Sequence, residues 1–467
     1  MKKINIIWFI VLFALILRII FAFQTPVRIW DETVYANLGF QLSHNPLDYT
    51  LKNSNWSDFI PGGKGEYSWP NIGFRAPLLP YTLSIFYLLK LDFLIIFFMP
   101  IIGAISVYLI YILGKKMFNE KIGLYSAFLF SIIPLHVVNS GFILTGVYET
   151  FWILLGCISF WKAYEENNFK YSIFCGIFLA LGILSRYTVL WILPIFPIYL
   201  IVTKNFANNL KKITVTLISF FIILSPIFIY GYITYGNILG AFLHGFYAST
   251  YWGGTQNGLF YFKYWRGMFS AIGIAALAGI YFSIKEIKQR KNIFILLFFF
   301  LFLGVSFLTG HKEQRFILPL VIPICILSAI FIYRVDKRKI LLIFTMVLVL
   351  ISLFSQGLFL YKNSYDGTNY CFMESIKFLD KIDGDIKIIN DETTILFYYL
   401  KQETMFLPSR NSEELKNLMD EKTYLLYTDV NMPLFVEENE KTLEEWDKNF
   451  NKIFECEKDW GLSRIYN

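Results

Sequence analysis

The chain has 467 residues, of which 56% are hydrophobic, 19% aromatic and only 16% charged, and its mean hydropathy is +0.51. A water-soluble fold of this size could not bury so much apolar side chain, so a soluble globular protein is excluded and lipid is the solvent for most of the chain. The net charge of +7 conceals a division: residues 362–467 hold 13 Lys+Arg against 22 Asp+Glu, a net of −9, which leaves +16 on the rest. A basic excess confined to the apolar part points to membrane topology rather than to nucleic-acid binding.

Met1-Lys2-Lys3 precedes an apolar run over 4–23, which lacks a small-residue cleavage pattern and reads as a retained helix with its N-terminus in the cytoplasm. The loop 24–75 then lies outside and contains Ile29-Trp30-Asp31-Glu32-Thr33, an acidic pair where a membrane span ends, and a lone glycosylation sequon, Asn55-Trp56-Ser57. Residues 76–90 are apolar but short, which suits an interfacial helix. Further spans are expected at 93–113, 121–138, 147–163, 171–185, 187–203, 213–233, 267–284, 293–309, 317–333 and 340–360. The loop 234–265, rich in Gly, Tyr and Trp, is expected outside, its aromatic residues forming an interfacial belt. With about eleven spans, the Lys/Arg clusters after 113, 203, 284 and 333 all fall on the cytoplasmic side. The fold class expected is an all-α polytopic membrane protein over 1–361 with a small α/β domain over 362–467. Strand-like runs at 386–389 and 423–428 there alternate with helix-like runs at 412–419 and 443–449.

Cysteines 157, 175, 325, 371 and 456 are scattered and show no zinc spacing, although Cys371 and Cys456 share the tail and could pair. His44, His136 and His244 are isolated and read as structural. On this topology the non-cytoplasmic face gathers Asp31, Glu32, Arg75, Glu149, Arg186, His311, Lys312, Glu313 and Arg315. A scaffold has no use for such a set, whereas an enzyme handling a lipid-linked phosphate does. Arg75, Arg186, His311, Lys312 and Arg315 would hold the phosphate, and Asp31, Glu32 or Glu149 would deprotonate an acceptor hydroxyl. Several of these have a second reading. Glu149 could be a helix N-terminal charge, Arg75 a turn cap and Arg186 a loop cation. His311-Lys312-Glu313-Gln314-Arg315-Phe316, four ionisable residues in five between two apolar spans, is harder to read as incidental.

That hexapeptide, followed by Ile317-Leu318-Pro319, resembles the motif of mannosyltransferases that build GPI anchors and lipid-linked N-glycan precursors. Trp30-Asp31-Glu32-Thr33-Val34-Tyr35-Ala36 is similar to the first-loop motif of protein O-mannosyltransferase-like enzymes and aminoarabinose transferases. All belong to the GT-C superfamily of membrane glycosyltransferases. The resemblance covers 1–361. It implies an inverting transfer of a sugar, mannose by the hexapeptide, from a polyprenyl (dolichyl) phosphate to a glycan, lipid or protein acceptor on the non-cytoplasmic face. Carried over, Asp31 is the base, Glu32 its neighbour and Glu149 the second acidic residue. No metal or other cofactor is expected. Residence in a prokaryotic plasma membrane or in the endoplasmic reticulum is left open. Two rivals stand beside this reading. An oligosaccharyltransferase would use a lipid pyrophosphate and a divalent ion, and a transporter of lipid-linked sugars would need polar residues at the membrane midplane.

Overall fold

A computed structural model describes residues 6–23, 28, 30–52, 75–253, 256–335, 350, 367–405, 407, 410–429, 436–458 and 461–467. The sequon at 55–57 and almost all of the expected span 340–360 lie outside the described residues. The chain divides into two units. One comprises residues 1–22, 73–79 and 93–357, and the other residues 23–72, 80–92 and 358–467.

The first unit is helical. It contains α1 (Ile6–Phe23), then α4 (Ile95–Met117), α5 (Glu120–Ile132), α6 (Pro134–Asn139), α7 (Thr145–Tyr164), α8 (Lys170–Ser185), α9 (Ile195–Val202) and α10 (Leu210–Tyr235). It continues through α11 (Gly240–Gly253), α12 (Phe260–Lys263), α13 (Trp265–Lys285), α14 (Arg290–Leu308) and α15 (Val321–Val335). Helices α2 (Trp30–His44) and most of α3 (Leu78–Leu88) belong to the second unit. Six helical segments are long and apolar enough to cross a membrane: Ile6–Phe23, Asp92–Met117, Ala207–Tyr235, Trp265–Lys285, Arg290–Leu308 and Gln314–Val335. The chain is therefore a multi-pass membrane protein. Lipid tails are as apolar as Leu, so close approach of backbones, not hydrophobicity, holds such helices together. Gly279 shows this: a Cβ there would stand 2.0 Å from the carbonyl oxygen of Leu327, so only Gly lets α13 lie against α15.

Three stretches depart from the expected spans. The run 121–138 is broken, because α5 stops at Ile132, Ile133 is extended and Pro134 opens α6. Pro134 has no N–H to give the carbonyl of Phe130, and in lipid a freed carbonyl needs another donor. Arg18 of α1, fully buried, supplies it. Its Nη2 donates to Phe130 O at 3.1 Å, and its Nη1 to Ser131 O and Ala14 O, each at 3.1 Å. Arg18 Nη2 also lies 3.0 Å from His136 Nδ1. Arginine only donates, so the imidazole accepts there and carries its proton on Nε2, in keeping with a structural histidine. Residues 187–203 form a 3-10 turn, Tyr187–Trp191, followed by α9 beyond Pro194, not one continuous helix. The expected loop 234–265 contains α11 and α12.

The second unit holds the tail. A helix α16 (Gly367–Leu379) leads to β1 (Lys387–Ile389), α17 (Thr393–Leu400), β2 (Glu403–Met405), α18 (Ser412–Lys416), β3 (Thr423–Thr428), α19 (Val436–Asn449), β4 (Lys452–Lys458) and β5 (Gly461–Tyr466). The sheet order is β2-β1-β3-β5-β4. β1 runs parallel to β2 and β3, whereas β5 is antiparallel to β3 and β4. Phe372, Ile376, Ile388, Leu396, Leu426 and Ile465 fill one face, while Leu425, Tyr427, Trp446 and Tyr466 fill the other. Cys371 of α16 and Cys456 of β4 form a disulfide with Cα atoms 5.3 Å apart. The small α/β tail expected from the strand-like and helix-like runs is thus present.

Candidate active site

The strap between α14 and α15 carries the charged hexapeptide, and each of its ions has a fixed partner. Lys312 is turned inward. Its ammonium donates to the carbonyls of Thr309 and Gln256, the latter at 3.3 Å, and its own N–H donates to Gln256 Oε1. Gln256 N–H in turn donates to Gly310 O at 3.1 Å. His311 Nε2 meets Glu313 Oε1 at 2.9 Å, while the Gln256 amide reaches His311 Nδ1 at 3.5 Å. A neutral ring that donates from Nε2 and accepts at Nδ1 satisfies both contacts. The other carboxylate oxygen of Glu313 accepts from Arg315 Nε. Burial pushes the Glu313 carboxyl up, but the hydrogen bond and charge of Arg315, with the His311 bond and Arg186, more than offset it. The net result is a carboxyl held below its usual range.

Arg186 joins this strap to α7. The chain turns out of α8 there: Arg186 is extended and its N–H closes on Gly182 O at 3.0 Å. Its guanidinium lies 4.4 Å from the centre of the Phe316 ring, a cation–π distance. Its Nη1 donates to Glu149 Oε1 at 3.3 Å and to Arg315 O at 3.4 Å. Glu149, in the first turns of α7, is fully buried and also accepts from Thr188 Oγ1 at 3.4 Å. Among these residues Arg186, Lys312 and Arg315 carry three positive charges and Glu149 and Glu313 two negative ones. At least one positive charge is left over, which favours an anion.

The structure therefore brings together Glu149, Arg186, His311, Lys312 and Arg315. Arg75 sits half-buried in the bend that leads into α3. Asp31 and Glu32 lie in the second unit, at the start of α2, where the helix dipole favours carboxylates. Their environments differ. Glu32 is fully buried and paired with Arg28 Nη1 at 3.1 Å, whereas Asp31 is only partly buried. Sequence reasoning missed Thr188, Gln256 and Tyr261. Tyr261 is buried, near Arg186 and Glu313, and burial pushes its phenol up. Its hydroxyl has no hydrogen-bond partner among the described residues. It lies in the stretch read as an aromatic belt, and a polar group among many tyrosines carries no distinguishing signal. Among the described residues no group of three or more His, Cys, Asp or Glu is placed to hold a metal ion.

Comparison with known proteins gives a consistent set of likenesses. The sequence model of the family described as dolichyl-phosphate-mannose-protein mannosyltransferase matches residues 74–230. The undecaprenyl phosphate-alpha-4-amino-4-deoxy-L-arabinose arabinosyl transferase of Wigglesworthia glossinidia brevipalpis is 28% identical over 179 residues, 36% of this chain and 29% of that protein. The chain thus spans less than a third of that relative's length. ArnT from Cupriavidus metallidurans, solved with undecaprenyl phosphate, superimposes with a TM-score of 0.73 at 10% identity, over 99% of this chain and 98% of that one. The apo oligosaccharyltransferase of Archaeoglobus fulgidus gives 0.62 at 13% identity, over 98% of this chain and 75% of that one.

Proposed function

We propose that this chain, whose fold is that of the GT-C superfamily of membrane glycosyltransferases, moves a sugar from a polyprenyl phosphate carrier to a hydroxyl of a glycan, lipid or protein. The observation that carries the reading is the cluster of Arg186, Lys312, Arg315, Glu149 and Glu313, whose cations outnumber its carboxylates. Such a cluster suits a phosphate monoester or diester leaving group, and arginine binds one through two parallel N–H groups. Lys312 already spends its ammonium on backbone carbonyls, so it shapes the strap, and the phosphate falls to the two arginines, with Arg75 in reserve. Asp31 is the proposed general base. It takes the acceptor proton as the new glycosidic bond forms at the anomeric carbon and the carrier phosphate leaves with the bonding pair, inverting the configuration. Glu32, already committed to Arg28, keeps a supporting role. The transfer so written needs no metal ion.

Mannose is the sugar suggested by the hexapeptide and the matched family's name. The name of the 28% identical relative favours 4-amino-4-deoxyarabinose as a second reading, with undecaprenyl phosphate as the carrier. The disulfide of Cys371 and Cys456 supports an oxidising, non-cytoplasmic compartment for the tail. The test is turnover by the purified protein with polyprenyl phosphate carrying either sugar. General-base help is worth roughly 10²- to 10⁴-fold, so Asp31→Asn should cut kcat by that order while the donor still binds. Transfer from neither donor, alongside transfer from a lipid pyrophosphate, would overturn the reading in favour of oligosaccharyltransferase chemistry. Normal turnover by Asp31→Asn would remove Asp31 from the mechanism.

A further inference from the structure

We infer that helix α17 of the tail is a positioning element for the acidic turn of α2, with Thr394 as its principal positioning residue. The inference rests on the reading of Asp31 as the base.

One face of α17, continued by its cap residue, presents Thr394, Phe397, Tyr398 and Lys401, spaced i, i+3, i+4, i+7. One face of α2 presents Thr33, Asn37 and Phe40, spaced i, i+4, i+7. The two faces meet within the second unit. Thr33 Oγ1 donates to Thr394 Oγ1 at 3.3 Å, and Asn37 Nδ2 donates to the carbonyl of Thr394 at 2.8 Å. All three residues are fully buried. Phe40 meets Phe397 edge-on at 5.6 Å between centroids. Lys401, in a left-handed conformation at φ 54°, closes the far end, with its ammonium 4.9 Å from the Phe40 ring centre and 5.1 Å from that of Phe397. Tyr399 closes the near end, its hydroxyl accepting from the Arg28 N–H at 3.0 Å. Arg28 in turn holds Glu32.

Asp31 therefore sits between two fixed points. Arg28, three residues before it, is tied to Tyr399 and to the adjacent Glu32, and Thr33, two residues on, is tied to Thr394. A base must meet its proton in one narrow geometry, and a misplacement of about 1 Å can cost on the order of 100-fold in rate. Neutral hydrogen bonds among fully buried groups are well suited to hold a short helix in register, because each group left unmatched has no water to turn to. The β1-α17-β2 crossover lies outside the residues 74–230 that the family's sequence model matches.

The test uses the full-length protein with the donor that supports turnover. Thr394→Val removes the hydroxyl at nearly constant volume, Asn37→Leu removes the second bond, and Thr394→Ser keeps the hydroxyl. Thr394→Val and Asn37→Leu are expected to lower kcat by about 5- to 100-fold with the donor KM unchanged, and to speed amide exchange in α2. Thr394→Ser should restore both. Faster exchange in α2 with unchanged kcat would reduce α17 to a structural support and overturn the proposal. So would a loss expressed only in the donor KM. Asp31→Asn is run beside them. If it turns over normally, the base reading falls and takes this proposal with it. If it is inactive while Thr394→Val is normal, only the positioning role falls.

Discussion

The buried pair of Arg28 and Glu32 offers a perturbation whose size can be worked out beforehand. The charges stand 3.1 Å apart, with side chains 7% and 0% exposed, at the i, i+4 spacing that brings side chains together at a helix start. At an effective dielectric constant of about 20 their attraction is about 5 kcal/mol, most of which offsets the cost of removing two ions from water. The pair as a whole is therefore worth little against an apolar replacement, but either ion alone is expensive. Glu32→Gln takes the carboxylate charge 3.1 Å away from a buried guanidinium, and breaking a buried pair costs about 3–5 kcal/mol. The measurement is hydrogen exchange in α2, where that cost appears as amides opening on the order of 10²- to 10⁴-fold more often. The double variant Arg28→Leu with Glu32→Leu removes both charges and should recover most of the protection. Exchange in Glu32→Gln within about threefold of the parent would refute the reasoning, as would a double variant that loses the sum of the two single losses.

Losing a charged phosphate contact costs about 1.5–3 kcal/mol, so Arg315→Ala should raise the donor KM roughly 10- to 150-fold. Lys312→Ala should instead show first as proteolysis of the 309–316 strap, because its ammonium holds carbonyls; steady-state kinetics and limited digestion separate the two. Serine at Cys371 and Cys456 releases a closure of 85 residues, which should cost the tail about 2–4 kcal/mol in denaturant unfolding. Glu313 has a folded pKa below its ordinary value of 4.5, so its contribution to stability is full above that value. It is lost as pH falls through the lower folded value, and unfolding midpoints between pH 6 and pH 3 should fall in the parent and stay flatter in Glu313→Gln.

What could be read in the sequence follows from how strongly each feature marks the chain. Apolar runs long enough to cross lipid announce α1, α4, α10, α13, α14 and α15, and charge density announces 311–316. Breaks inside apolar runs are quieter. Ile133-Pro134 and Pro194 interrupt helices without interrupting hydrophobicity, so length alone joined what the backbone separates. Arg18 is a single cation inside an apolar run, and its partners at 130 and 131 lie more than a hundred residues away. Glu149 and Arg186 were visible as isolated charges, but their pairing, and Thr188 beside them, required the turn out of α8 to bring distant segments together. The Arg28–Glu32 spacing was legible in principle. It is a weak signal because Arg28 stands just outside the helix whose first turn holds Glu32.

Arg18 also bears on the order in which the chain can be assembled. Its guanidinium is made over a hundred residues before the carbonyls of Phe130 and Ser131 that it satisfies, so α1 must wait in the bilayer with only the Ala14 carbonyl of its own helix as partner while α4 and α5 are synthesised. The elbow at Pro134 cannot settle in lipid until α1 returns to it. The first helix acts as a chaperone encoded in cis for a later break, and insertion of α5 and α6 becomes conditional on it. Arg18→Leu should therefore improve insertion of α1 taken alone and impair integration of the segment 120–139. Glycosylation-reporter fusions truncated on either side of that segment would resolve the two effects.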